Sequence, residues 1–185
     1  MDVKSNIRDK ILLERKSFDE LQCFLQNEQI INNIKTILQK LGVKKNLVLG
    51  LYWPLKGEPD LLKLTINSNF LISLPKLREK DMDFVRYELG ADLVQSFDKK
   101  LMQPVSNVKT IPNIIIIPAL AYSLQGYRIG FGYGYYDRYL DRIKNKIDII
   151  KIGVCFHQYL HEYLPNEPHD IKMDYIITNQ TTISL

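Results

Sequence analysis

The chain has 185 residues, 45% of them apolar and 25% charged, which suits one packed domain over 1–185 and leaves little room for two. Its formal net charge of +4 comes from scattered Lys and Arg without a basic run, which argues against nucleic acid and points to small anionic ligands. No segment approaches 18 uninterrupted apolar residues and the first ten are polar, so the expectation is a cytoplasmic protein with neither membrane span nor secretion signal.

Residues 3–15 alternate charge with Ile7, Ile11 and Leu12, the stripe of an amphipathic helix. Ser17 offers a cap for a second helix, with Glu20 as the reciprocal half of a capping box. That helix is expected to run to Leu41 with Gly42 as terminator and a break near Asn27. From Asn46 the period changes, and LVLGLYW (47–53) reads as a buried strand closed by Trp53 and Pro54. A short helix at 59–66 follows, then a strand at 70–74 ended by Pro75 and an alternating strand at MDFVRYEL (82–89). The isoleucine run 114–117 between two prolines reads as a buried strand. Directly after it come a glycine-rich loop, RIGFGYG, and a helix carrying Tyr136, Leu140 and Ile143 at helical spacing. Strands at 149–156 and 174–178 close the chain. Strands alternating with helices imply an α/β sheet covered on both faces. Cys23 and Cys155 lack metal-ligand spacing and are expected to be reduced and buried.

Gly130, Gly132 and Gly134 lie between strand and helix, where backbone amides and the helix start can meet a phosphate, with Arg128 adding a forked contact. The alternative is a tight turn that uses glycine for positive φ. The second glycine spacing is too short for the dinucleotide fingerprint G-x-G-x-x-G. Asp137 is either a comfortable first-turn acid or a magnesium carboxylate, and Asp170 in the polar loop 164–174 is a candidate second ligand. Lys4 and Arg8, at i and i+4, form either a solvated face or a cation pair turned to a triphosphate. Tyr52 and Trp53 offer flat surfaces and Glu58 an acceptor for ring N–H groups; otherwise they are core aromatics and a turn acid. His157, His161 and His169 have no zinc spacing.

Over nearly its whole length the chain resembles the 5-formyltetrahydrofolate cyclo-ligases, also called 5,10-methenyltetrahydrofolate synthetases. The resemblance rests on KSNIR, YWPLKGEPDLLKL, the LP and MDF segment, IIPALAYSLQGYRIGFGYGYYDRYL, and GVCFHQYLHEYLPNEPHDIKMDYIIT. It implies a three-layer α/β sandwich with a mainly parallel central sheet, related to the sugar-phosphate isomerase and CoA-transferase sheets. It further implies Mg2+ and ATP as cofactor and co-substrate, 5-formyltetrahydrofolate as substrate, and a monomer or dimer. By position, Lys4, Arg8, Arg128, Gly130, Phe131, Gly132, Tyr133, Gly134, Tyr135 and Tyr136 match ATP ligands, with Arg128, Tyr135 and Tyr136 nearest the reacting centre. Asp137 and Asp170 match metal carboxylates, while Trp53, Glu58 and loop 131–135 match the folate pocket. Two positions depart from the pattern: Tyr133 replaces a glycine or lysine, removing a cation beside the phosphates, and His157 replaces an acid. The competing readings are a ligand-binding protein without turnover and an isomerase or transferase on a related sheet.

Overall fold

A computed structural model describes residues 3–17, 19–42, 47–66, 69–97, 100–145 and 147–185, with the side chains of Glu20 and Gln22 outside it. Helix α1 (Val3–Glu14) ends in a 3-10 turn and is followed by α2 (Glu20–Lys40). Strands β1 (Val48–Gly50), β2 (Leu71–Leu77), β3 (Met82–Arg86), β4 (Leu93–Gln95), β5 (Met102–Pro104) and β6 (Lys109–Thr110) come next. Then follow β7 (Ile114–Pro118), β8 (Ala121–Ser123), β9 (Arg128–Ile129), α3 (Tyr135–Ile143) and β10 (Ile150–Val154). Strands β11 (Leu160–His161), β12 (Tyr175–Ile177) and β13 (Thr182–Ser184) complete the chain.

Eight strands form one sheet in the order β13-β12-β10-β7-β1-β2-β3-β6. The five central strands, β12, β10, β7, β1 and β2, run parallel, and antiparallel strands close both edges. This is the mainly parallel α/β sheet expected from the sequence. Its middle strand, β7, carries Ile115, Ile116 and Ile117 at 0% exposure, so both of its faces are covered. Helix α2 buries Ile30, Ile34, Ile37 and Leu38, while the Asn33 amide donates to the Thr178 carbonyl beyond β12. Helix α3 sets Tyr139 edge-on against Phe84 of β3, centroids 5.2 Å apart.

Several expectations are corrected. Helix α2 does not break at Asn27, whose side chain accepts from the Asp60 amide while its backbone stays helical. Ser17 does not cap α2, because a 3-10 turn intervenes and its hydroxyl donates to the Glu14 carbonyl. The cap is Asp19, which accepts from the Leu21 amide. The predicted box partner, the Glu20 side chain, lies outside the described residues. The predicted helix at 59–66 is a 3-10 turn, Leu62–Thr65. Pro75 does not end β2: the strand pairs with β1 only as far as Ser73, so the donor that proline lacks falls where β1 has already left the sheet. Beyond β7 the chain does not enter the glycine loop directly. The antiparallel pair β8–β9 intervenes and joins β11 in a second sheet, because Gly126 at φ 96 turns the chain back. Cys155 is buried, as expected, but Cys23 is only half-buried; neither forms a disulfide.

Candidate active site

A cavity of about 760 Å³ opens at the carboxyl edge of the parallel strands, the edge where open α/β sheets receive ligands. Trp53 and Glu58 reach it from the chain beyond β1, Leu77 from the end of β2, and Pro118 from the end of β7. The loop between β9 and α3 forms another wall, and α1 covers the site with one stripe, Lys4, Arg8 and Leu12. All the candidate site residues named above from the sequence lie on this cavity, although they come from segments as far apart as Lys4 and Asp170.

The three glycines have different reasons to be there. Gly132 (φ 95) and Gly134 (φ 66) occupy the left-handed region, which the turn reading requires. Gly130 does not, and a Cβ there would meet no atom within 4 Å. Its missing side chain leaves open space that the fold itself does not fill. Gly134 is also the N-cap of α3 and supplies no side-chain cap, so the amides of that first turn keep donor capacity.

Lys4 is not part of a solvated face. Its side chain is 13% exposed, and its ammonium lies 2.7 Å from Asp170 and 3.2 Å from Glu167. Burial pushes Asp170 up, but the Lys4 hydrogen bond, the Glu167 amide and the Lys4 charge outweigh it and hold that carboxyl below its usual range. Arg8 donates from Nε to the Gly130 carbonyl at 2.9 Å, tying α1 to the glycine loop. The Arg128 side chain is 7% exposed and bridges two segments: Nη2 contacts Asp137 Oδ1 at 2.5 Å, and Nη1 donates to the Ile171 carbonyl at 3.0 Å. The sequence reading missed this clamp. Among the described residues no three His, Cys, Asp or Glu side chains converge as a metal cage.

Also on the cavity, Glu58 is 7% exposed, with Oε2 accepting from the Leu55 amide at 2.9 Å. Burial pushes its carboxyl up to about 7 against the opposing pull of the Leu55 amide and the Arg15 charge. The Tyr136 hydroxyl is likewise held above its ordinary value, first by burial and then by Glu58. Trp53 lines the cavity half-buried, and Tyr52 lines it from the core, at 2% exposure with its hydroxyl on the Pro59 carbonyl. Tyr133 and Tyr135 set their rings 6.0 Å apart at the rim.

Three contributors carried no local signal. Leu101 and Lys100 arrive from the connection between β4 and β5, and Met82 from β3. Lys100 lays its ammonium against the Tyr133 ring and hydroxyl, so a cation does stand beside the glycine loop despite the tyrosine at that position. His157, the other departure, does not line the cavity; it bonds Thr178 and Asn179.

The sequence profile of the 5-formyltetrahydrofolate cyclo-ligase family matches residues 1–179. A Mycoplasma genitalium protein named 5-formyltetrahydrofolate cyclo-ligase is 33% identical over 95% of this chain and 98% of its own. A Mycolicibacterium smegmatis protein of the same name is 27% identical over 95% of this chain and 93% of its own. Among solved structures, the NMR structure of Aquifex aeolicus 5,10-methenyltetrahydrofolate synthetase matches with a TM-score of 0.81 at 30% identity, covering 99% of this chain and 93% of that one. Motif set, sheet order and these matches coincide over the length of the chain, which therefore belongs to the 5-formyltetrahydrofolate cyclo-ligase family of enzymes.

Proposed function

We propose that the protein, acting as a single domain over 1–185, converts 5-formyltetrahydrofolate and ATP into 5,10-methenyltetrahydrofolate, ADP and phosphate. The observation that carries this reading is one cavity lined by two chemically different sets of residues, here called its two ends: a glycine loop with Lys4, Arg8 and Arg128, and Trp53 with buried Glu58. The first end suits a triphosphate and the second a ring that donates N–H groups. A formamide oxygen is a poor leaving group, so the formyl oxygen attacks the terminal phosphorus and ADP departs. The second amine of the same folate then attacks the activated carbon and gives up its proton as phosphate leaves. Since the nucleophile belongs to the substrate, the protein orients both ligands and stabilises charge, and it needs no reactive Ser or Cys. Tyr135 and Tyr136 line the same cavity, Tyr136 within the electrostatic reach of both Glu58 and Arg128, and would exclude water from the reacting atoms. Incubation with ATP, Mg2+ and 5-formyltetrahydrofolate should generate methenyl absorbance together with ADP; binding of both ligands without product would sink the proposal.

Asp137 and Asp170 are the residues that would hold Mg2+. Two carboxylates in the lining of one cavity, each now met by Arg128 or Lys4, fit an ion that takes one or two carboxylates and leaves its other positions to phosphate oxygens. Bound there, the ion would offset phosphate charge. Asp137→Asn and Asp170→Asn should each raise the Mg2+ concentration for half-maximal rate, and the double variant should cost less than the sum. Simple additivity in an Mg2+ titration would contradict a shared ion.

Lys4→Ala with Arg8→Ala should raise KM for ATP by about tenfold or more, with KM for folate little changed. Loss of the Lys4 contact to Asp170 and the Arg8 contact to the Gly130 carbonyl should cost about 1–2 kcal/mol of stability. Equal increases in both KM values would remove the two cations from the ATP side.

A further inference from the structure

Arg15 opens the 3-10 turn after α1 and is buried at 3% exposure, outside the cavity that the proposed reaction uses. Its Nη2 donates to the carbonyls of Ala119 at 2.8 Å and Leu120 at 3.3 Å. The guanidinium carbon lies 5.2 Å from the centre of the Tyr159 ring. Nε and Nη1 are buried without a hydrogen-bond acceptor among the described residues. A buried guanidinium whose further neighbour is the Tyr159 side chain is costly, and nothing in the packing of Ala119 and Leu120 demands a charge there.

The chain above it indicates what the charge serves. Gly57 rests on the Arg15 stem so closely that a Cβ would lie 2.8 Å from Arg15 Cγ and 2.9 Å from Cδ, and its φ of 79 also favours glycine. The next residue is Glu58, the buried carboxylate of the cavity. Besides Arg15, the titratable groups coupled to Glu58 are Tyr52 beyond β1, Tyr122 of β8 and Tyr136 of α3. Cys155, beyond β10, faces Arg15 itself. Burial pushes all three tyrosine hydroxyls up and the Cys155 thiol up to about 12, so they stay neutral. Arg15 is the cation in this set.

We propose that Arg15 is a positioning residue for Glu58: from beneath the 55–58 turn it fixes the turn and keeps the Glu58 carboxylate charged in a floor of neutral groups. This rests on the reading that Glu58 meets N–H donors of the folate. Loss of the Arg15 charge would leave Glu58 protonated to higher pH and so unable to accept from those donors.

The test is equilibrium binding of 5-formyltetrahydrofolate across pH to the full chain and to Glu58→Gln, Arg15→Met and Arg15→Lys, with unfolding measured alongside. The parent should bind more tightly as pH rises through the ionisation of Glu58, and Glu58→Gln should be weak and lack that rise. Arg15→Met should move the midpoint up by about one pH unit, weakening binding about tenfold on the acid side and recovering on the alkaline side. Arg15→Lys should stay near the parent. Should Arg15→Met not fold, Arg15→Gln keeps a donor for the Ala119 and Leu120 carbonyls without the charge and should show the same displacement. A variant that loses thermal stability but keeps the parent midpoint would make Arg15 a packing residue and overturn the inference, leaving the Glu58 reading intact. If Glu58→Gln itself binds with the parent's affinity and pH dependence, the folate role of Glu58 fails and the inference falls with it.

Discussion

Glu58→Gln is expected to stabilise the fold at alkaline pH while weakening folate binding. In the folded protein burial disfavours the charged form of this carboxyl and pushes it up from its ordinary value of 4.5 to about 7. The folded state therefore holds the Glu58 proton more tightly than the unfolded chain does. That contribution is complete below about pH 4.5 and is lost as pH rises through about 7. Glutamine has the same shape and no proton to lose, so the variant should gain on the order of 3 kcal/mol over the parent above pH 8 and nothing at pH 4.5. Denaturant unfolding across pH measures the gain directly. Folate affinity should fall by about tenfold or more, since a charged acceptor is replaced by a neutral amide, while ATP affinity stays near the parent value. A gain independent of pH would show that Glu58 is not the titrating group, and equal loss for both ligands would take it off the folate side.

Arg128→Ala is expected to damage both activity and stability. The Arg128 side chain is 7% exposed and holds β9 to two other segments at once, through Asp137 at the start of α3 and the carbonyl of Ile171. Truncation leaves a carboxylate and a carbonyl without their donors and removes a charge from the phosphate end of the cavity. The expected losses are about 2 kcal/mol in unfolding free energy and roughly thirtyfold in kcat/KM for ATP. Arg128→Lys keeps one charge but cannot reach two acceptors in different directions, so it should recover part of the activity and little of the stability. Unchanged ATP kinetics in a destabilised Arg128→Ala protein would make the residue a purely structural clamp.

The buried strands were legible where several consecutive residues carried the same demand. The isoleucines of β7 and the apolar runs of β10 and β12 are covered on both faces, so burial writes itself into each residue in turn. Gly132 and Gly134 were legible for the same local reason, because each needs a backbone angle that other residues resist. The motif set was sufficient to indicate the family, since the spacing of the site residues along the chain is itself a sequence property. Strands β6, β9 and β11 were not legible: two residues cannot display a period of two.

The sequence also left paired alternatives that no local signal separates. Tyr52 and Trp53 are neighbours with similar side chains that both line the cavity, yet one is core and the other half-buried, because successive side chains in extended backbone point opposite ways and only the assembled sheet says which way is in. Lys4 looked like half of a solvated pair until Asp170, 166 positions away, came to lie against it. Arg15 beneath Gly57 and Lys100 against Tyr133 belong to the same class. Periodicity, capping and turn chemistry act over a few residues and are written into the chain itself. Charge partners, by contrast, are set by which segments the close-packed sheet brings together, and that is decided only when the chain has folded.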